Sequence, residues 1–477
     1  MPMQPVSSRS SSVTQPSTAH AAKVIAVTVA AAVGGFLFGF DSSVINGAVD
    51  SIQDNFALSS FVTGFAVAIA LLGCAVGAWF AGRLADSWGR KRVMLLGSAL
   101  FVISSIGSGL AFSVPDLMLW RVLGGLGIGI ASVIAPTYIS EIAPARYRGA
   151  LASLQQLAIT LGIFAALLSD AVLQNAAGGA SNELWWNLEA WRWMFLVGVA
   201  PAILYGVLAM TIPESPRYLV GKDMDEEAAA VLANVTGELR PDERVREIRL
   251  TLRRESKASF GDIRGPVFGL QPLVWVGITM AVFQQFVGIN AIFYYSTTLW
   301  KSVGFTENQS FTTSVITAVI NVLMTFVAIL FVDKIGRRPL LMTGSIGMFV
   351  SLLLAAIAFS QAVGSGEDVE LPAPWGALAL VGANAFVIFF AATWGPIMWV
   401  MLGEMFPNRM RAVALGISTA ANWIANFTVT LAFPPLTSAV GLWFLYGLFA
   451  FFALLSFFFV KAKIPETKGM ELEEMQS

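Results

Sequence analysis

Long apolar runs separated by short polar turns dominate the chain. A bilayer-crossing helix needs about 20 mostly apolar residues, and twelve stretches meet that length, near 24–46, 60–81, 93–112, 116–138, 149–173, 193–212, 272–299, 311–332, 338–360, 375–402, 412–434 and 441–461. Gly and Pro interrupt several of them, as is ordinary in membrane helices. The pattern predicts an all-α membrane protein with twelve transmembrane helices. The opening segment "MPMQPVSSRSSSVTQPSTAH", rich in Ser, Pro and Thr, predicts a disordered tail over 1–22. It lacks the apolar core and cleavage site of a secretory signal, so the first run is expected to remain as a span.

Basic residues in short loops orient the spans. Arg83, Arg90, Lys91 and Arg92 follow the second run, Arg146 and Arg148 the fourth, Lys334, Arg337 and Arg338 the eighth, and Arg409 and Arg411 the tenth. The alternate loops "DSIQDNFALSS" and "QAVGSGEDVELPAPW" carry acids and no Lys or Arg. Even-numbered loops and both termini are therefore expected in the cytoplasm. The charged segment of about 215–262 falls on the same side, and its apolar spacing predicts short amphipathic helices.

The two halves echo each other. "GRLADSWGRKR" is answered by "VDKIGRRPL", with Asp86, Gly89 and Arg90 each matched 247 residues on by Asp333, Gly336 and Arg337. "SEIAPARYRG" is answered by "GEMFPNRMRA": Glu141 to Arg148 and Glu404 to Arg411 are both seven apart. "PESPR" and "PETKG" close the halves. The repeats predict a first six-helix bundle over 23–213, a cytoplasmic helical linker over 214–265, a second bundle over 266–462 and a cytoplasmic tail over 463–477. Two bundles related by duplication are the organisation of major facilitator carriers.

Only 12% of residues are charged, against about 25% in a soluble domain. The net charge of −1 gives no reason to expect a nucleic-acid partner. With one histidine, His20, and one cysteine, Cys74, there is no pair for a histidine-based metal site and none for an intrachain disulfide. No nucleotide loop or nucleophile constellation is present, so an enzyme is not expected, nor is a cofactor or metal.

The motifs "GRLADSWGRKR", "RVLGGLGIGIAS", "PESPRYL", "QQFVGINAIFYYS", "DKIGRRPL", "GPIMWVMLGEMFPNRMR" and "PETKG", in this order, resemble a sugar porter of the major facilitator superfamily. The resemblance runs from about Ala22 to Glu474, and "FLFGFDSSVINGA" with "QQFVGIN" looks most like the bacterial glucose permeases. It implies alternating access to a monosaccharide site between the bundles.

Asp41 interrupts the first apolar run. A carboxylate at a helix centre in lipid costs roughly 2.5 to 3.5 kcal/mol, so such residues are rare and usually functional. The expected partner is Arg121, the only basic residue of the fourth run. The pair reads either as a structural ion bridge or as a proton-coupling site, in which a changing separation alters proton affinity. Proton-coupled sugar porters are similar in having an acid here, and the facilitative carriers have Asn. The resemblance therefore favours symport, with passive uniport as the rival.

Carboxamides match sugar hydroxyls because each offers one acceptor oxygen and two donor hydrogens. Within spans stand Gln156, Gln284, Gln285, Asn290, Asn321 and Asn422, with Trp399 as an aromatic platform; Phe38, Phe390, Trp394 and Trp423 are secondary contacts. Singly, each amide could equally bridge helices; as a set they coincide with sugar-binding positions in similar carriers. Asn422 stands where some xylose symporters have Gln, which favours a hexose, glucose first, with galactose, xylose and inositol open. Gly288 is expected to loosen the seventh helix where Asn290 must reach inward; by resemblance Tyr294 and Tyr295 gate the outer side, and Gly395 and Pro396 similarly bend the tenth over the cytoplasmic exit, with an ordinary kinked helix as the alternative. Asp86, Arg90, Arg92, Glu141, Arg148, Glu214 and Arg217, answered by Asp333, Arg337, Arg338, Glu404, Arg411 and Glu466, are expected to clasp the cytoplasmic side shut. Plain positive-inside topology would explain the bases but not the repeated acids. The partners expected are a monosaccharide, a proton and the cell-membrane bilayer, with the carrier acting as a monomer.

Overall fold

The computed structural model describes residues 18–142, 148–254, 260–363, 370–407 and 410–466; most of the predicted tail and the side chains of Arg148, Asp333 and Arg411 lie outside that set. The first half comprises α1 (Thr18–Asn55), α2 (Ser60–Trp88), α3 (Arg90–Gly109), α4 (Val114–Ile142), α5 (Arg148–Ala177), and a sixth span split into α6 (Ala190–Val197) and α7 (Val199–Thr211). Short helices α8 (Pro216–Gly221), α9 (Asp225–Val231) and α10 (Pro241–Arg254) form the linker. The seventh span is three pieces, α11 (Pro272–Phe286), α12 (Ile289–Tyr294) and α13 (Ser296–Lys301). Then come α14 (Glu307–Ile335), α15 (Arg337–Phe359), the split tenth span α16 (Trp375–Ala392) and α17 (Trp394–Met405), α18 (Arg411–Val440) and α19 (Leu442–Lys463).

Eleven spans among the described residues are long and apolar enough to cross a bilayer. The twelfth, α18, has 30 residues, ample at about 1.5 Å per residue. Asn422, Asn426 and several threonines dilute its apolar character. The chain is thus a multi-pass membrane protein with the expected twelve crossings.

Two boundaries differ from expectation. Helix α1 starts at Thr18, within the segment expected to be disordered, because its first turns dock on the linker: Lys23 Nζ donates to Asn234 O at 3.2 Å and His20 packs on Gly237. A cation there also meets the carbonyl end of a helix, which its dipole favours. The tenth span breaks at Thr393 (φ −135°, ψ −85°) rather than at Gly395–Pro396. Pro396 has no N–H to give the carbonyl four residues back, so α16 stops at Ala392 and the chain restarts with Pro396 in the first turn.

Small residues let the helices of each half approach closely. Gly73 and Gly77 of α2 lie on carbonyls of Val122 and Leu126, while Gly125 and Gly129 of α4 lie on those of Ala70 and Cys74; a Cβ at any of the four would overlap the facing backbone. This reciprocal one-turn spacing is the small-residue seam that packs membrane helices without a hydrophobic drive. The halves meet along α2 against α18 and α5 against α14.

Candidate functional site

At the centre of the first half, Arg121 of α4 donates from Nη1 to both oxygens of Asp41 on α1, at 3.0 Å each. Asp41 is 5% exposed and Arg121 2%, so the pair is out of water. The guanidinium also stands over the Phe195 ring, 5.7 Å from its centroid. Breaking such a pair by removing one partner leaves an uncompensated buried charge, at about 3–5 kcal/mol. A cavity of about 10 Å³, room for one water, opens on the pair and is lined by Phe38, Asp41, Ser42, Cys74, Arg121 and Tyr294, among others. Tyr294 belongs to α12, so the cavity places the acid of one half against the second half.

The second half assembles a chain of carboxamides. Gly288, in left-handed conformation (φ +89°), breaks the seventh span, and a Cβ there would overlap the Phe449 ring. The turn it makes lets Asn290 reach back, donating to Gln285 Oε1 at 2.6 Å. Gln285 Nε2 donates to Asn422 Oδ1 at 3.1 Å, and Asn422 Nδ2 to Gln284 Oε1 at 2.9 Å and Ala281 O at 3.0 Å. Gln284 Nε2 then reaches the backbone oxygens of Trp394 and Gly395, at 3.3 and 3.2 Å. Four of the six expected amides thus form one network across α11, α12 and α18. A polyol can replace these amide–amide bonds one for one, because each group both donates and accepts.

The remaining expected residues divide. Asn321 is buried on α14, and Gln156 is half-buried on α5; among the described residues no hydrogen bond joins them to the network. Beside Gln156, Gln155 has a buried Oε1 without a partner among the described residues, a neighbour not distinguished by sequence. Trp399 is 38% exposed. Trp394 differs from its expected sugar contact: fully buried, it donates its indole N–H to Leu341 O and Ser345 Oγ of α15, both at 3.0 Å, and so fixes the tenth span. Phe390 packs on Phe386. Phe38 meets Trp423 edge-on across the two halves at 5.5 Å, and the buried Trp423 indole N–H has no partner among the described residues. The two tyrosines are not equivalent. Tyr294 faces the Asp41 cavity and accepts from Asn426 at 3.5 Å, whereas Tyr295 stacks on Phe433 and donates to Thr430 O at 3.0 Å. Tyr295 is therefore committed to α18 in this state.

At the end opposite the charge motifs, the expected outer side, the halves are latched by residues not singled out in the sequence. Thr297 of α13 donates from its backbone N to Asn46 Oδ1 at 3.0 Å and from its hydroxyl to Asn46 O at 2.7 Å. One turn outward, Asp50 accepts from Thr298 Oγ1 at 2.6 Å and pairs with Lys301 at 2.9 Å. Glu307 of α14 accepts from the Ala180 amide at 3.1 Å. In the sequence "INGAVD" and "STTLWK" carry no mark that pairs them; only the docking of α1 against α13 does.

The charges expected at the cytoplasmic face form, in their described pairs, one cluster in each half. Arg90 gives two bonds to Glu141 at 3.0 and 2.9 Å and pairs with the exposed Asp86 at 3.2 Å; Arg217 stands 3.9 Å from Glu141. Glu214 accepts the first amides of α3, from Arg90 at 3.0 Å and Lys91 at 3.2 Å. In the second half Arg337 bonds Glu404 at 3.0 Å, and Glu466 accepts from the amides of Arg337 and Arg338 at 3.0 and 3.1 Å. A carboxylate on a helix N-terminus satisfies free N–H groups and meets the positive end of the dipole. Arg92 is exposed and joins none of these described pairs. The described pairs hold each bundle together; the expected closure between halves also calls on Arg148, Asp333 and Arg411, whose side chains lie outside the described set.

The chain matches the family described as sugar (and other) transporter over residues 27–477. It is 51% identical over 460 residues to the glucose transport protein of Synechocystis sp., covering 96% of this chain and 98% of that protein. It superposes on the partially occluded inward-open xylose transporter XylE of Escherichia coli with a TM-score of 0.81 at 33% identity, covering 94% of this chain and 100% of the other. It also superposes on the proton:xylose symporter XylE bound to 6-bromo-6-deoxy-D-glucose, with a TM-score of 0.79 at 34% identity, covering 96% and 99% of the two chains. The fold is that of the major facilitator superfamily, and the protein belongs to its sugar transporter family.

Proposed function

We propose that the chain carries a monosaccharide, D-glucose foremost, into the cell together with a proton. The observation that carries this reading is the buried Asp41–Arg121 pair, opening on a cavity that Tyr294 of the second half also lines. A carboxylate so placed changes its surroundings whenever the halves rock, and the carboxamide network beside it has the donor–acceptor character of a sugar site. Similarity to a glucose transport protein and to a proton:xylose symporter supports the substrate class and the coupling ion. Basic even-numbered loops support a cell-membrane location with both termini in the cytoplasm. One chain supplies both bundles and the whole site, so a monomer suffices.

The test is Asp41→Asn in proteoliposomes carrying an imposed proton gradient. Uphill accumulation, sensitive to an uncoupler in the unaltered protein, should vanish, while exchange of labelled glucose for internal glucose persists. Accumulation at the normal level by Asp41→Asn would leave a passive carrier as the reading. Competition by unlabelled glucose, galactose, xylose and inositol ranks the substrates.

A further inference from the structure

Asp170 of α5 has no solvent exposure, and neither of its carboxylate oxygens has a hydrogen-bond partner among the described residues. It packs against Gly47 of α1 and lies close to Met194 of α6; a Cβ at Gly47 would come within 2.7 Å of Asp170 Oδ2 and 2.8 Å of the Met194 sulfur. More buried polar atoms without partners among the described residues lie on the same three packed helices. They include Asn46 Nδ2 and Ser43 Oγ on α1, Gln174 Oε1 one turn along α5, and Trp191 Nε1 one turn from Met194.

Charges on the surrounding elements are committed elsewhere. On α1, Asp41 pairs with Arg121 of α4, Asp50 pairs with Lys301, and Asp54 is exposed. Arg192 of α6 pairs with Glu189, and Glu183 is exposed. Glu307 of α14 takes the Ala180 amide, and Asp116 of α4 takes Trp120 Nε1. Among the described residues Asp170 has no counter-ion, and a charge left unpaired in an apolar seam is costly.

We propose that Asp170 is a second proton site of the carrier, filled from the outer solution, whose occupancy lets α1 close the outer gate. The turn of α1 that covers Asp170 is the turn that makes the latch: Gly47 touches the acid, and its neighbour Asn46 binds Thr297. Moving that turn outward both breaks the latch and admits water to the carboxylate. On closure, a proton from outer water forms an O–H bond on the carboxylate; on reopening it returns to the same side. It therefore gates rather than crosses, and it is distinct from the proton at Asp41, six residues or about 9 Å further in along α1. The inference deepens the symport reading, but its test is made without Asp41.

The experiment uses full-length Asp41→Asn and Asp41→Asn/Asp170→Asn in membranes, labelled at native Cys74 by an impermeant maleimide added outside. Cys74 is buried and lines the cavity beneath the gate, so it reports gate opening. The ratio of the two labelling rates cancels the pH dependence of the thiol itself. At an outer pH of about 8 the single variant should label about threefold or more faster than the double, falling to parity near pH 5. A ratio of one at both pH values, or one that does not change with pH, overturns the proposal. Glucose exchange by Asp41→Asn alone needs no change at Asp170, and it should slow as the outside is made alkaline. Exchange indifferent to outer pH also overturns it. Loss of exchange by Asp41→Asn at every pH counts against the symport reading, and the labelling ratio still decides for Asp170.

Discussion

Replacing Asp50 by Ala isolates the outer latch. The substitution removes the bond from Thr298 at 2.6 Å and the ion pair with Lys301 at 2.9 Å, whose side chains are 35% (Lys301) and 24% (Asp50) exposed. A hydrogen bond to a charged group contributes about 1.5–3 kcal/mol, and a half-exposed ion pair about 0–1 kcal/mol. Both groups regain water when the gate opens, so the net bias towards the shut state is about 1–2 kcal/mol, a factor of roughly 5–30. The ion pair is present at ordinary pH. Burial works to lower the Lys301 value, but the Asp50 carboxylate, with Glu307 and Asp54 behind it, outweighs burial and holds the ammonium above the usual lysine range. The assay is labelling of Cys74 from outside, which should accelerate by about tenfold in Asp50→Ala. Asp50→Asn, which keeps an acceptor for Thr298, should lie between the two. Equal rates in Asp50→Ala and the unaltered carrier would refute the claim that these contacts hold the gate.

Other consequences are as direct. Gln285→Ala cuts the amide network between Asn290 and Asn422 and should raise the KM for sugar about tenfold, with little change in stability; an unchanged KM would remove Gln285 from the site. Gly288→Ala must hold φ +89° and collide with Phe449, so thermal unfolding of purified carrier should fall by several degrees. Glu404→Ala removes the acceptor of Arg337 Nη2 and should lower the melting temperature of the purified carrier, and an unchanged melting temperature would show that this pair does not brace the second bundle. Glu466→Ala leaves the first amides of α15 uncapped and should cost about 1 kcal/mol of stability, read as a lower melting temperature.

Asp41 and Arg121 were legible because a charge inside an apolar run has few tolerable fates, and two such charges in one half all but name each other. The carboxamides were legible as a cluster, since "QQFVGIN" packs three of them into seven residues. The latch was not: Asn46 and Thr297 are ordinary polar residues until the docking of the two halves brings them together. The same holds for the charge clusters, whose residues are plain in the text but whose partners depend on which helix ends converge. Asp170 was missed for a boundary reason. With the fifth run expected to end near 173, an acid at 170 reads as interfacial, yet α5 continues to Ala177 and the acid lies fully inside. Trp394 was ambiguous because an indole within a span serves packing and ligand contact equally well, and only the structure shows its two acceptors on α15.

The bonds that tie the linker to the first half have a consequence for how the chain can be divided. Glu214 fastens the linker to α3, and Lys23 fastens α1 to it, so everything through α10 belongs mechanically to the first bundle. Cut after that helix, the protein should behave as two complementary polypeptides, each inserted and braced on its own. Co-expressed, they would have the α2–α18 and α5–α14 seams, the Phe38–Trp423 contact and the outer latch to form before sugar moves again.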